Sequence, residues 1–274
     1  MKRLPDMKIR LLPVACALLV TGLVQTHAAM ARTVHAVASF TVLADVVRQV
    51  GGTHAAVTSL VPADGDPHEF EPSPADAGKL QQADVIFLSG EGLETWFVRL
   101  SRAAGYHGTP VIASDGVPLH KMVEDGHDVT DPHVWNSVPN VEIWTRNIRD
   151  ALIRVDPQDA DAFRANADAY LVRLHDLDHY IRERIATVPN DRRRVLTGHD
   201  AFGYFGREYG VTLMAPQGLS TETEASAADV AALIRQIRTL GVSTYFMENA
   251  ADPRLVQQVA TATGARPGGT LYVE

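Results

Sequence analysis

"DPQDADAFRANADAYLVRLHDLDHYIRERIATVP", residues 156–189, has prolines near both ends, Pro157 and Pro189, and neither glycine nor proline between them. Phe163, Ala167, Tyr170, Leu174, Leu177, Ile181 and Ile185 recur at threes and fours, so the spacing predicts a helix with one apolar face throughout. Unbroken, such a helix would reach roughly 45 Å at 1.5 Å per residue. It would run the height of the molecule and tie whatever lies on either side to one rod. Two helices with an unmarked break fit the same residues.

On both sides of it, β-rich runs alternate with helical patterns. Before it come VHAVASF (34–40), AAVTSLV (55–61), DVIFLS (84–89) and PVIAS (110–114); after it come RRVLTG (193–198), VTLMA (211–215), STYFME (243–248) and GTLYV (269–273). Among them lie the helical stretches VLADVVRQVGG, PADAGKLQQA and SAADVAALIRQIRTLG. Alternation of this kind marks βαβ units on a parallel sheet. The predicted class is therefore α/β: two βα lobes with parallel sheets joined by one long α-helix, divided as 32–156, 157–188 and 189–274.

The first 31 residues read as an export leader. Basic residues stand at 2, 3, 8 and 10, an apolar stretch runs from Ile9 to Val24, and a small-x-small end closes at Ala31. This predicts a cleavable signal peptide, 1–31, and a periplasmic product starting at Arg32. The apolar stretch is shorter than the ~20 residues of a bilayer span. A lipoprotein signal at Cys16 would meet Pro13 where an aliphatic residue is expected. Four basic residues and one acidic residue leave with the leader, so 21 Lys+Arg face 32 Asp+Glu and the formal charge moves from -8 to -11. An acidic surface argues against nucleic acid as a partner. Cys16 is the only cysteine, so any metal in the mature chain must be held by imidazole and carboxylate.

Three of the eleven histidines share a logic: His68 in DGDPHEFEPSP, His133 in TDPHVWNSVPN and His199 in VLTGHDAFGYFG. Behind His68, Ser73, Pro74 and Asp76 form a helix start, which leaves His68 in a proline-flanked loop. The first two follow Asp-Pro, and the proline stiffens the approach to the ring. His199 follows a strand, where open α/β sheets place their ligands. Spaced 65 and 66 residues apart, the three fit no helix face and make sense if the fold converges them. Three imidazoles with one carboxylate would suit tetrahedral Zn²⁺.

PHEFEPSPAD, DPHVW, TGHDAFGYFGREYGV and EASAADVAALIRQIRTLGV together resemble the periplasmic zinc and manganese binding proteins that feed bacterial ABC importers. The resemblance spans about Val34 to the end. It implies a metal site in the cleft between the lobes, His68, His133 and His199 as ligands, and a fourth ligand from the carboxylate after a Leu-Tyr-x strand, here Glu274. Manganese-preferring members usually carry a carboxylate where this chain has His199, so the resemblance implies Zn²⁺, with Mn²⁺ or Fe²⁺ as the alternative. It implies a membrane permease as partner and a monomer that is not an enzyme. Relatives continue into a further helix, whereas Glu274 is the last residue here; either the sequence stops short or the ligand sits at a chain end.

Other residues have less pointed readings. Glu248 ends a strand and would substitute for Glu274. Glu69 and Glu71 would either support His68 or decorate its loop. His120 and His127 would pass metal inward or belong to a solvated loop, and His175 with His179 fits a solvated helix face. Trp135 and Trp144 are expected to pack. A zinc hydrolase would need an open metal position and a base, but no HExxH occurs. A surface adhesin would call for a lipid anchor. For a cation carrier, affinity should fall as pH drops through the imidazole range near 6.5.

Overall fold

The computed structural model describes residues 32–124, 127–222 and 225–273. Among these, no helix is long and apolar enough to cross a membrane. The first lobe runs β1 (Val34–Ala38), α1 (Thr41–Gly51), β2 (Ala55–Ser59), α2 (Pro74–Gln82), β3 (Val85–Leu88), α3 (Phe97–Ala103) and β4 (Val111–Ile112). Its strands are all parallel, in the order β2-β1-β3-β4, with Val34 opposite Ala55, Ala36 opposite Val85 and Phe87 opposite Val111.

Local chemistry accounts for the elements. The β3 run Val-Ile-Phe-Leu is buried at every residue, as a parallel strand covered on both faces must be. Leu43, Ala44, Val46, Val47 and Val50 give α1 its buried face. The helix stops at Gly52, whose φ of 55° suits glycine and whose missing Cβ would lie 2.6 Å from Asn166 Nδ2. At the start of α2 the Asp76 carboxylate accepts the Ser73 backbone N–H at 2.8 Å and the Ser73 hydroxyl at 2.7 Å, as the Ser-Pro-x-Asp pattern predicts.

A hairpin follows, β5 (Lys121–Glu124) antiparallel to β6 (His127–Thr130), then α4 (Val138–Val155). Neither was anticipated. Asp125-Gly126 is a common short-hairpin signal in sequence, but the run around it is polar. Helix α5 (Ala160–Ala186) is one unbroken helix of 27 residues, preceded by a 3₁₀ turn at Pro157–Asp159. Its apolar face is not uniformly covered. Phe163, Ala167 and Leu174 are buried against the first lobe and Leu177 is 45% exposed, while Ile181 and Ile185 beyond it again pack on the core. Trp144 sits at the centre of that core beside Phe40, 6.3 Å between rings, and Phe40 in turn packs 4.7 Å from Trp135.

The second lobe runs β7 (Arg194–Leu196), α6 (Gly203–Tyr209), β8 (Thr212–Met214), α7 (Ala227–Leu240), β9 (Thr244–Glu248), α8 (Arg254–Thr263) and β10 (Arg266–Leu271). Its parallel order, β10-β9-β7-β8, repeats that of the first lobe when β7 to β10 stand for β1 to β4. One sheet face packs Leu196 and Met214 on Leu233, Ile237, Val256 and Val259 of α7 and α8. On the other, Val195, Leu213, Phe246 and Leu271 line an apolar groove of about 330 Å³ beside α6. Hydrogen bonds join the lobes: Trp135 Nε1 donates to the Val273 carbonyl at 2.7 Å, Asn136 Nδ2 to Ala201 at 2.8 Å, and Asn249 Nδ2 to Asp64 at 3.0 Å.

Candidate metal centre

His68 lies in the loop after β2, His133 between the hairpin and α4, and His199 just past the carboxyl end of β7. The fold brings all three to one point in the cleft. His133 Nε2 lies 3.0 Å from His68 Nε2 and 3.3 Å from His199 Nε2, and the three rings are 6%, 0% and 1% exposed for residues 68, 133 and 199. Nitrogens bound at 2.0–2.1 Å to one tetrahedral ion would be about 3.3 Å apart, so the spacing fits a shared cation. Among the described residues no other His, Cys, Asp or Glu joins this set.

The far sides of two rings are fixed. Asp131 Oδ1 accepts both the backbone N–H and Nδ1 of His133, each at 2.9 Å. Glu248 accepts Nδ1 of His199 at 2.5 Å and the Gly198 N–H at 2.7 Å. β9 lies beside β7, so Glu248 at the end of one strand reaches the histidine past the end of the other. A carboxylate that takes the Nδ1 proton directs the Nε2 lone pair inward and makes the ring a better donor. The loop carrying His68 is pinned across the cleft: Asp66 accepts the His68 backbone N–H at 2.8 Å and the Thr221 hydroxyl at 2.6 Å.

Burial sets the charges. It lowers His68 to about 3, with the neighbouring His133 and His199 adding to the effect and Asp66 opposing it. Burial likewise drives His133 well down, helped by His199 and opposed by Glu248. Asp131 is raised to about 6 by burial, against the pull of its hydrogen bonds. In this arrangement burial keeps His68 and His133 neutral well below pH 6.5.

The other candidates fall in different places. Glu248 is not a spare ligand, since its carboxylate is engaged with the Nδ1 side of His199. Glu69 and Glu71 are exposed and, with Arg99, Trp96 and Glu222, line a cavity of about 700 Å³ that opens onto His68. His127 is exposed on β6, and His179 pairs with Glu183 on the solvated side of α5. Glu274 lies outside the described residues. Sequence reasoning missed Asp131, because Asp before Pro reads as a turn residue, although it stands two positions before a histidine already singled out.

Comparisons with known proteins place the chain in a family. The family model described as "Zinc-uptake complex component A periplasmic" matches residues 36–274. A manganese-binding lipoprotein MntA of Halalkalibacterium halodurans is 31% identical over 87% of this chain and 78% of its own length. An iron-binding protein YfeA of Yersinia pestis is 31% identical over 87% and 76%. A manganese-bound periplasmic metal binding protein of Candidatus Liberibacter asiaticus superposes with a TM-score of 0.79 at 26% identity, covering 88% of this chain and 89% of that one. The chain thus belongs to the family of substrate-binding components of metal ABC importers, which are carriers and not enzymes.

Proposed function

We propose that this chain captures Zn²⁺ in the periplasm and delivers it to the membrane permease of an ABC importer, acting as a monomer. His68, His133 and His199 would supply three nitrogens and Glu274 the fourth ligand. One observation carries the reading. Two Nε2 atoms lie within 3.3 Å of His133 Nε2, while the Nδ1 sides of His133 and His199 rest on carboxylates. With those Nδ1 protons donated outward, the inner lone pairs face one another and repel unless a cation lies between them. Three imidazoles favour Zn²⁺ over Mn²⁺, which takes oxygen-rich sites. The exposed Glu69, Glu71 and Glu222 around the cavity beside His68 would raise the local cation concentration.

Mn²⁺ or Fe²⁺ is the second reading, favoured by the relatives named for manganese and iron. Metal analysis of protein purified from the periplasm, with Zn²⁺ and Mn²⁺ in direct competition, separates the two. Zn²⁺ bound preferentially supports the first reading; Mn²⁺ bound preferentially in both measurements replaces it. The leader belongs to the same proposal. A mature chain beginning at Arg32 supports cleavage after Ala31, whereas a lipid-modified start at Cys16 would align it with relatives named lipoproteins.

A further inference from the structure

His120 precedes the hairpin and has no part in the three-nitrogen cluster, yet it is tied to it by a chain of contacts. Asp131 uses one carboxylate oxygen, Oδ1, for His133. The other, Oδ2, is buried and has no hydrogen-bond partner among the described residues; the same is true of His120 Nδ1, 3.6 Å away. That separation is just too long for a hydrogen bond. A buried carboxylate oxygen and a buried ring nitrogen left unpaired each carry a desolvation penalty, and a small turn of the His120 ring relieves both.

The surroundings hold the pair in place. The His120 backbone N–H donates to the Tyr204 hydroxyl at 3.0 Å, that hydroxyl donates to the Asp131 carbonyl at 3.2 Å, and the Asp131 N–H donates to the His120 carbonyl at 2.9 Å. Gly203 closes over the gap: a Cβ there would lie 2.5 Å from Asp131 Oδ2 and 2.8 Å from His120 Nδ1. Tyr204 and Gly203 belong to α6 of the second lobe, so the second lobe packs directly on the support of a first-lobe ligand.

We propose that His120 is a positioning residue of the cation site: its Nδ1–H holds the second oxygen of Asp131, and through Asp131 it fixes the direction of His133. The inference rests on the reading of His68, His133 and His199 as the metal site. Outer partners of a metal-bound histidine typically cost 10–100-fold in affinity when removed, and His120 stands one step further out, so about 10-fold is expected.

The test is Zn²⁺ affinity by competition, with Co²⁺ visible spectra, for His120→Ala, His120→Asn, Asp131→Asn and the Asp131→Asn/His120→Ala double variant. His120→Ala should bind Zn²⁺ about 10-fold more weakly and shift the Co²⁺ bands. His120→Asn, which places an N–H where Nδ1 stood, should recover to within about threefold of the starting protein. In the Asp131→Asn background, His120→Ala should add nothing further. Unchanged affinity in His120→Ala, no recovery in His120→Asn, or losses that add in full would each overturn the proposal. His133→Ala serves as the separate control: if it keeps full affinity, the reading of the site itself fails; if it loses affinity while His120→Ala does not, only the present inference fails.

Discussion

Strand β3 of the first lobe is buried at every residue, whereas its counterpart β9 in the second lobe is buried only at Glu248. The strand orders are the same, yet the first sheet is covered on both faces and the second retains an apolar groove on one. The difference gives two settings for a cleft histidine that a carboxylate grips. In the first lobe, His133 is held by the Asp131 carboxylate and by depth of packing as well, beside Trp135 at 5.3 Å and next to the Phe40–Trp144 core. In the second lobe, His199 is likewise gripped by one carboxylate at both its ring and the adjacent backbone, beside a sheet that is less fully covered.

Substitutions can break or sharpen that contrast. The largest stability effect is expected for Trp144→Ala at the centre of the first core, about 3–5 kcal/mol by urea denaturation; a loss under 1 kcal/mol would mean that the first lobe is no better packed than the second. Next comes His133→Ala, which removes one of the proposed ligands and should weaken Zn²⁺ by more than the 10–100-fold typical of outer partners, read by calorimetry on protein that still shows its folded circular dichroism.

Glu248→Gln and Asp131→Asn should each fall within that 10–100-fold range, with Glu248→Gln the costlier because its carboxylate meets three nitrogens around His199 where Asp131 meets two around His133. Equal losses would erase the distinction drawn between the lobes. Smallest is Phe246→Ala in the groove, at about 1 kcal/mol; a loss comparable to Trp144→Ala would show the second lobe to be as tightly built as the first.

Stability against pH bears on the same contrast. His68 and His133 have folded-state values below the ordinary 6.5, so the unfolded chain binds more protons than the folded one as pH falls below 6.5. Their contribution is complete above 6.5 and is lost on acidification toward about 3. Asp131, raised to about 6, acts oppositely between its ordinary 3.8 and 6. Glu94 and Glu69, raised by burial, act in the same sense as Asp131, but His68 and His133 lie furthest from their ordinary value, so the melting temperature of the metal-free protein should fall between pH 7 and pH 4. A flat or rising profile would contradict the burial of the rings.

Much of this is legible in the sequence. Short β-rich runs alternating with 3.6-period helices placed all eight strands of the two sheets, because strands buried in a parallel sheet leave their mark on composition. The three histidines stood out because prolines and strand ends restrict them. Less was visible where one residue type serves two purposes. Glu248 looked like a ligand because sequence places it at the site without saying which side of a ring it meets. His120 looked like a loop histidine because its link to Asp131 runs through a polar hairpin with no apolar pattern. Leu177 matched the helix stripe, yet period does not say which stripe residues a neighbour covers.

The indole of Trp135 has one further consequence. Its ring faces His133, while its N–H is bound to the Val273 carbonyl of the opposite lobe. A fluorophore so placed senses both the electric field of an arriving ion and any parting of the two halves. The emission of the unlabelled protein should therefore serve as a built-in optical gauge of loading and release.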